Sequence, residues 1–382
     1  MYGKSITPGK TLLFIDEIQE SHDAIMALRF FKEDIPSLHV IAAGSLLEFA
    51  LDELPTFGVG RIHSLYMYPM TFDEFLLANG QKLLLDARNT SSTNTPLPAP
   101  LYDKIIEQFR TYMIVGGMPE AVATWVESHD FIRCQEIQDD ILTSYMDDFP
   151  KYRKKVDPDL LRATLHSVAN QISQKFVFAH IGKGYKAAEV KSALNLLYKA
   201  GLVIPTTYTR ANGLPLGSEA DESYRKLLIL DSGIELRLLN MNMGNTTAIT
   251  TQILTSSVAD LVNKGSMAEM IAGLEILRNQ TPNLKRELYY WTRQVRGAHA
   301  EIDYIIAKDA NVIPIEVKAE RQGGMKSLWN FMRDKNLSEA IRSSLENFGE
   351  FQYIDSEADN AVRHVTIFPL YALAQLFLEG GE

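Results

Sequence analysis

LLFIDEIQ, residues 12–19, places four apolar residues directly before two adjacent carboxylates, Asp16 and Glu17. A short unbroken apolar run ending in polar residues predicts a strand buried on both faces. HVIAAG, residues 39–44, has the same form, and a helical pattern around 24–31 lies between the two runs. Strand, helix, strand at this spacing predicts a parallel crossover, so residues 1–80 read as an α/β unit. A helix around 46–51 and a third strand at RIHSLYMY, 61–68, extend the pattern. Asp16 and Glu17 then stand at the carboxyl edge of a parallel sheet, where α/β proteins hold ligands. A strand closing on two solvated acids fits the same residues.

At about 150 residues per domain, 382 residues give two to three domains, long enough for several cores without disulfides or metals. Hydrophobic residues at 46% and charged residues at 23% exclude a disordered or collagen-like chain. The single cysteine, Cys134, excludes a disulfide framework and a Cys-rich zinc site, and fits a reducing compartment. Against 38 basic residues stand 48 acidic ones, a net charge of −10, which disfavours a general nucleic-acid coat but leaves room for a local basic patch. The opening MYGKSITPGK lacks the apolar core of a secretory signal. The apolar run 365–378 contains Pro369 and Gln375 and falls short of the roughly 20 residues a bilayer needs. A soluble, cytoplasmic protein without a membrane partner is expected.

Five segments follow. Residues 1–88 form the α/β unit, and NTSSTNTPLPAP, 89–100, reads as a linker. A helical connecting region covers 101–155. Residues 156–240 read helix, short helix, helix and two strands, LVIPTTY and KLLIL, the order of a winged helix. Residues 245–382 form a last α/β block, with a helix near 266–277 and strands near 288–291, 301–306 and 312–319. Within 185–200, Val190, Leu194, Leu197 and Tyr198 share one helical face. Lys183, Lys186, Lys191 and Lys199, with Lys151, Arg153, Lys154 and Lys155 upstream, offer charge for a nucleic-acid contact. Glu219, Asp221 and Glu222 in the expected wing oppose it, so domain packing or protein contact is the competing reading.

The last block carries a spaced ionisable set. Asp303 lies in one strand, a turn at 309–311 follows, and Glu316 and Lys318 stand two residues apart in the next. Period-two alternation puts Glu316 and Lys318 on one face, and antiparallel pairing brings Asp303 beside them. Two carboxylates on a hard cation such as Mg²⁺, with a lysine polarising water, meet the needs of metal-assisted phosphodiester hydrolysis. Glu269 on the preceding helix completes the set. An edge hairpin bearing a Glu–Lys pair gives the same pattern. The eight histidines show no metal-ligand spacing.

LLFIDEIQE, VIAAGSLLEFAL (40–51), GRIHSLYMYPMTFDEFL (60–76) and IVGGMPEAV (114–122) together resemble the AAA+-type P-loop ATPases of bacteria and archaea whose ATPase domain precedes a characteristic C-terminal domain of unknown function. The resemblance implies a Mg²⁺–ATP site. Asp16 and Glu17 take the Walker B roles of metal and water ligand, Ser45 that of γ-phosphate sensor, and Arg61 that of arginine finger. One part is missing: the chain contains no G-x-x-x-x-G-K-S/T loop. Gly3-Lys4-Ser5 and Gly9-Lys10-Thr11 imitate its tail, without the strand and helix that shape the phosphate nest. A truncated, mis-started or degenerate ATPase that does not turn over is therefore expected. Residues 288–320 resemble the restriction-endonuclease-like PD-(D/E)xK fold, with Asp303, Glu316 and Lys318 in the motif positions, Glu269 as the helix acid, and Ile302 where proline often stands. Three functions remain open: an ATPase gating a winged-helix and nuclease-like module, a Mg²⁺-dependent nuclease on a remnant scaffold, and a non-enzymatic DNA- or protein-binding regulator with a protein partner or oligomeric state.

Overall fold

The computed structural model describes residues 6–7, 9–44, 60–153, 155–182, 184–239, 265–293, 300–318 and 324–378. These fall into two units.

The first unit comprises residues 1–67, 195–202 and 282–285. Strand β1 (Leu12–Ile15), helix α1 (His22–Asp34) and strand β2 (His39–Ala42) follow the expected order. Ser21 starts α1 by accepting the Ala24 N–H on its hydroxyl at 3.2 Å. The strands pair in parallel, Leu12 opposite His39 and Ile15 opposite Ala42. Two expectations need correction. β1 and β2 are not buried on both faces, because Leu12, Phe14 and Ile41 point to the same side and are about half exposed. Residues 61–68 form no strand: Tyr66 donates one backbone hydrogen bond to Pro282, and Leu65 and Met67 lie in solvent. Apolar alternation favours a strand only where a neighbouring strand completes the ladder. The helix expected around 46–51 lies outside the described residues.

The second unit comprises residues 68–194, 203–281 and 286–382. Its helices begin with α2 (Phe72–Ala78), α3 (Lys82–Asn89), α4 (Ala99–Val115), α5 (Pro119–Ser128), α6 (Phe131–Asp148) and α7 (Pro158–Asn170). Helix α8 (Ala187–Lys199), whose last residues from 195 count with the first unit, buries Val190, Leu194 and Leu197 of the expected apolar face, while Tyr198 is half-buried. Strands β3 (Val203–Thr209) and β4 (Ala220–Ile229) lead to α9 (Ser232–Leu238) and α10 (Ser266–Arg278). Strands β5 (Leu288–Thr292), β6 (Glu301–Lys308) and β7 (Asn311–Val317), helix α11 (Lys326–Asp334), and strands β8 (Glu339–Ser344), β9 (Gly349–Asp355) and β10 (Ala361–Pro369) complete it.

The strands form one mixed sheet of eight, ordered β4-β3-β5-β6-β7-β8-β10-β9. The hairpin β3–β4, expected as a wing, is the edge of this sheet, joined to it by parallel pairing of β3 with β5. Tyr290, Trp291, Ile302 and Ile305 share a hydrophobic core with α11 residues Leu328, Phe331 and Met332. Residues 89–100 run across this unit rather than hanging free. Leu97 is buried, and the Asn347 side-chain amide accepts its N–H at 3.2 Å and donates to its carbonyl at 2.8 Å.

A buried polar hub explains the glycine pair of IVGGMPEAV. The Gly117 N–H donates to Asp231 Oδ2 at 2.7 Å, and the Gly117 carbonyl accepts from Met70 N–H at 2.7 Å. Arg278 donates to the Leu230 carbonyl at 2.6 Å and to the Tyr112 hydroxyl at 2.8 Å. Glu275 accepts from the Tyr112 hydroxyl at 3.0 Å and the Phe72 N–H at 3.1 Å. These bonds tie α2, α4, α9 and α10 together without room for a Cβ at either glycine.

Candidate functional site

The hairpin β6–β7 builds the acidic cluster. A turn with positive φ at Asp309 and Ala310 sets its register, Tyr304 opposite Ile315, and this sequence of pairs carries Asp303 to Glu316. Asp303 Oδ2 accepts the Val317 N–H at 2.8 Å, which fixes its carboxylate across the two strands. Lys318 Nζ donates to Glu316 Oε1 at 2.5 Å, so these two side chains share a face as the period of two requires. Helix α10 supplies Glu269, held in place where the Tyr304 hydroxyl donates to the Glu269 carbonyl at 2.7 Å. The structure thus brings Glu269, Asp303, Glu316 and Lys318 into one cluster.

At its centre stands a residue the sequence reading left in a strand core, Lys226 of β4. Its Nζ lies 2.8 Å from Glu269 Oε1, pairs with Glu301, and approaches Asp303 Oδ1 at 3.8 Å. The side chain is 1% exposed and its ammonium sits 5.2 Å from the centre of the Tyr290 ring. Two strands separate β4 from β6 in the sheet. The β3–β4 and β5–β6 ladders each carry a register shift, at Thr207/Tyr208 and Tyr289/Trp291. The only sequence signal was a lysine opening the apolar run KLLIL, and a strand-end charge is ordinarily solvated. Glu301 was missed for the same reason, because its partner comes from a distant hairpin.

Burial pushes the Glu269 carboxyl up to about 8, against the pull of Lys226, while Asp303 pushes in the same direction as burial. Burial, then the Asp303 charge, pushes Glu316 up to about 7 against the lowering by Lys318. The three surrounding carboxylates raise the Lys226 ammonium above the usual lysine range and outweigh its own desolvation. An acid held above its unfolded value of 4.5 binds protons in the folded chain that the unfolded chain releases. This contribution is complete below about pH 4.5 and disappears as pH rises through 7 and 8. The unfolding midpoint of this unit should fall between pH 5 and pH 8.5, and Glu269→Gln should flatten that slope. Tryptophan fluorescence reports it, since Trp125, Trp291 and Trp329 all lie in this unit.

The cluster does not fit a divalent cation. Mg²⁺ takes oxygen ligands in a near-octahedral shell, whereas here the Lys226 ammonium engages Glu269 and Glu301, Val317 N–H takes one Asp303 oxygen, and Lys318 takes one of Glu316. Glu316 Oε2 is buried without a hydrogen-bond partner, a single oxygen. Among the described residues no set of three His, Cys, Asp or Glu side chains is arranged to hold a metal ion. The Mg²⁺ expected between Asp303 and Glu316 finds no ready ligand set in this arrangement. Spacing placed the acids together but could not show the cation already among them.

In the first unit Asp16 follows the last residue of β1, exposed at the carboxyl end of the parallel pair. Asp16 Oδ1 accepts the Glu17 N–H at 3.1 Å. Glu17 adopts a left-handed backbone, φ 47° and ψ 46°, and its carboxylate accepts from the Gln19 side-chain amide. That conformation disfavours a residue with a Cβ by roughly 1–2 kcal/mol. Both residues are exposed. Arg61 Nε pairs with Glu33 at 2.7 Å. Ser45 and Gly3-Lys4-Ser5 lie outside the described residues. Gly9-Lys10-Thr11 forms a turn, with Lys10 and Thr11 N–H both bonded to the Thr7 carbonyl, and runs straight into β1. No helix follows it, so it is not a phosphate nest.

Residues 1–76 match the family model of an AAA domain. Residues 264–371 match a domain of unknown function (DUF4143), and residues 106–244 match a second domain of unknown function (DUF8612). The chain is thus similar to AAA-type ATPases at its N-terminal end and to a domain of unknown function at its C-terminal end. No curated protein and no solved structure matches it. Among the described residues no helix is long and apolar enough to cross a membrane.

Proposed function

We propose that this chain is a nucleotide-dependent protein of the AAA type in which Asp16 and Glu17 supply the metal-and-water half of a Mg²⁺–ATP site. The placement of both carboxylates at the carboxyl end of β1, inside the segment matched by the AAA domain, carries the reading. Bound there, Mg²⁺ supplies charge neutralisation for the phosphates. Asp16 is the residue to hold it and Glu17 the residue to orient a water. Ser45 is assigned the sensor role, and Arg61 that of finger once it leaves Glu33. Mg²⁺–ATP binding that depends on the Asp16 carboxylate is expected. Calorimetric titration of the chain and of Asp16→Asn tests this. Saturable binding at least tenfold weaker in the variant supports the assignment. Indistinguishable titrations, with binding in both or in neither, overturn it.

Residues 156–240 are proposed as a winged-helix-like segment that packs within the chain, supported by the incorporation of β3 and β4 into the sheet. The C-terminal module is proposed as a nuclease-like frame, supported by the meeting of Asp303, Glu316, Lys318 and Glu269. Contacts with nucleic acid or with a protein partner would use surfaces other than the filled cluster.

A further inference from the structure

We propose that Lys226 is a built-in replacement for the divalent cation of the nuclease-like cluster, which closes the site to metal and to metal-assisted phosphodiester hydrolysis. The inference rests on the nuclease-like reading of the C-terminal module and is independent of the nucleotide reading.

The ammonium occupies the position a bound cation would need. It faces Glu269, Glu301 and Asp303 at once, and each belongs to the wall of the cluster. Its 2.8 Å approach to Glu269 is a hydrogen-bond distance, longer than the roughly 2.1 Å of Mg²⁺ coordination or the 2.3–2.6 Å of Ca²⁺. A covalently tethered cation does not exchange with solvent, and this one is fixed at both ends. Its backbone lies in β4 opposite Thr206, between β3 pairing and the buried Leu227 and Leu228, and its head lies beside Tyr290. A metal ion could take these oxygens only by displacing the buried ammonium from Glu269 and Glu301. The neighbouring acid is closed in the same way, since Glu316 already holds Lys318. Charge compensation thus comes from two lysines of the chain itself. Such a site keeps the architecture that positions β6, β7 and α10 but has no Lewis acid with which to activate water.

Mn²⁺ titration followed by electron paramagnetic resonance tests the proposal on the full chain. Wild type and Asp303→Asn should take up equal Mn²⁺, whatever Asp16 contributes in both. Lys226→Ala should gain one Mn²⁺ per chain, lost again when Asp303→Asn is added. Mn²⁺ uptake by wild type that Asp303→Asn removes would overturn the proposal, as would a folded Lys226→Ala that gains no ion. Should Lys226→Ala fail to fold, the wild-type comparison decides alone. Cleavage of single- or double-stranded DNA by wild type in Mn²⁺, abolished by Asp303→Asn, would equally overturn it.

Discussion

Lys226→Met is expected to lower the stability of the tryptophan-containing unit by about 3–5 kcal/mol, the cost of leaving a buried ion pair without one partner. Methionine keeps the stem and its packing, so the loss isolates the ammonium. What remains is a pocket of acids: Glu269 is buried on α10, Asp303 is tied to Val317, and Glu301 is partly exposed. They can relieve the repulsion only by taking up protons, and burial already holds Glu269 and Glu316 at about 8 and about 7. The penalty should therefore shrink as pH falls from 8 to 5. It should also shrink when Glu269→Gln is added, because one uncompensated carboxylate is then gone. Urea titrations at pH 5, 7 and 8, read by tryptophan fluorescence at constant slope, supply the numbers. A pH-independent loss below 1 kcal/mol would show that the ammonium balances nothing.

The second large effect is expected at the glycine pair. A Cβ on Gly117 would stand 2.1 Å from the Met70 carbonyl oxygen, and the Met70 backbone cannot move without breaking its own bond to Gly117. A Cβ on Gly116 would stand 2.1 Å from Asp231 Oδ1. Gly116 also sits at φ 70° and ψ −164°, a region essentially confined to glycine. Each alanine substitution should cost on the order of 3 kcal/mol, by overpacking at 117 and by strain plus the Asp231 clash at 116. The two should be non-additive, since the Asp231 carboxylate that a Cβ at 116 would displace is the acceptor of the Gly117 N–H. Gly213→Ala is the control. Nothing lies within 4 Å of its Cβ position, so its cost should stay within about 0.5 kcal/mol. Equal midpoints for Gly117→Ala and Gly213→Ala would contradict the hub as the reason for the motif.

Local pattern and tertiary placement contributed differently to each site. For β1, β6 and β7, apolar runs and turn residues located the strands to within a few residues, and alternation alone put Glu316 beside Lys318. The strand proposed at 61–68 had the same local pattern and failed, because strand pairing is a property of the neighbour as much as of the segment. Strands β8 and β9 went unread, whereas the apolar run 365–378 was legible as a strand and helix and holds the end of β10. Glu339–Ser344 and Gly349–Asp355 carry charged and polar residues that obscure the alternation. The glycine pair was legible as a motif, but its meaning depends on Asp231, more than a hundred residues later.

By itself, the sequence determined the parallel β1–β2 crossover, the position of Asp16 and Glu17 at its carboxyl end, and the common face of the acids at 303 and 316, since these follow from short-range periodicity and strand geometry. Only the tertiary structure decided what those acids face. Lys226 lies 43 residues before Glu269 in sequence, and two strands separate its strand from β6 in the sheet. The attraction that places it depends on distance and burial in three dimensions, so local spacing carries no trace of the pair. The same carboxylates that read as ligands for a metal are, once folded, already neutralised by the chain.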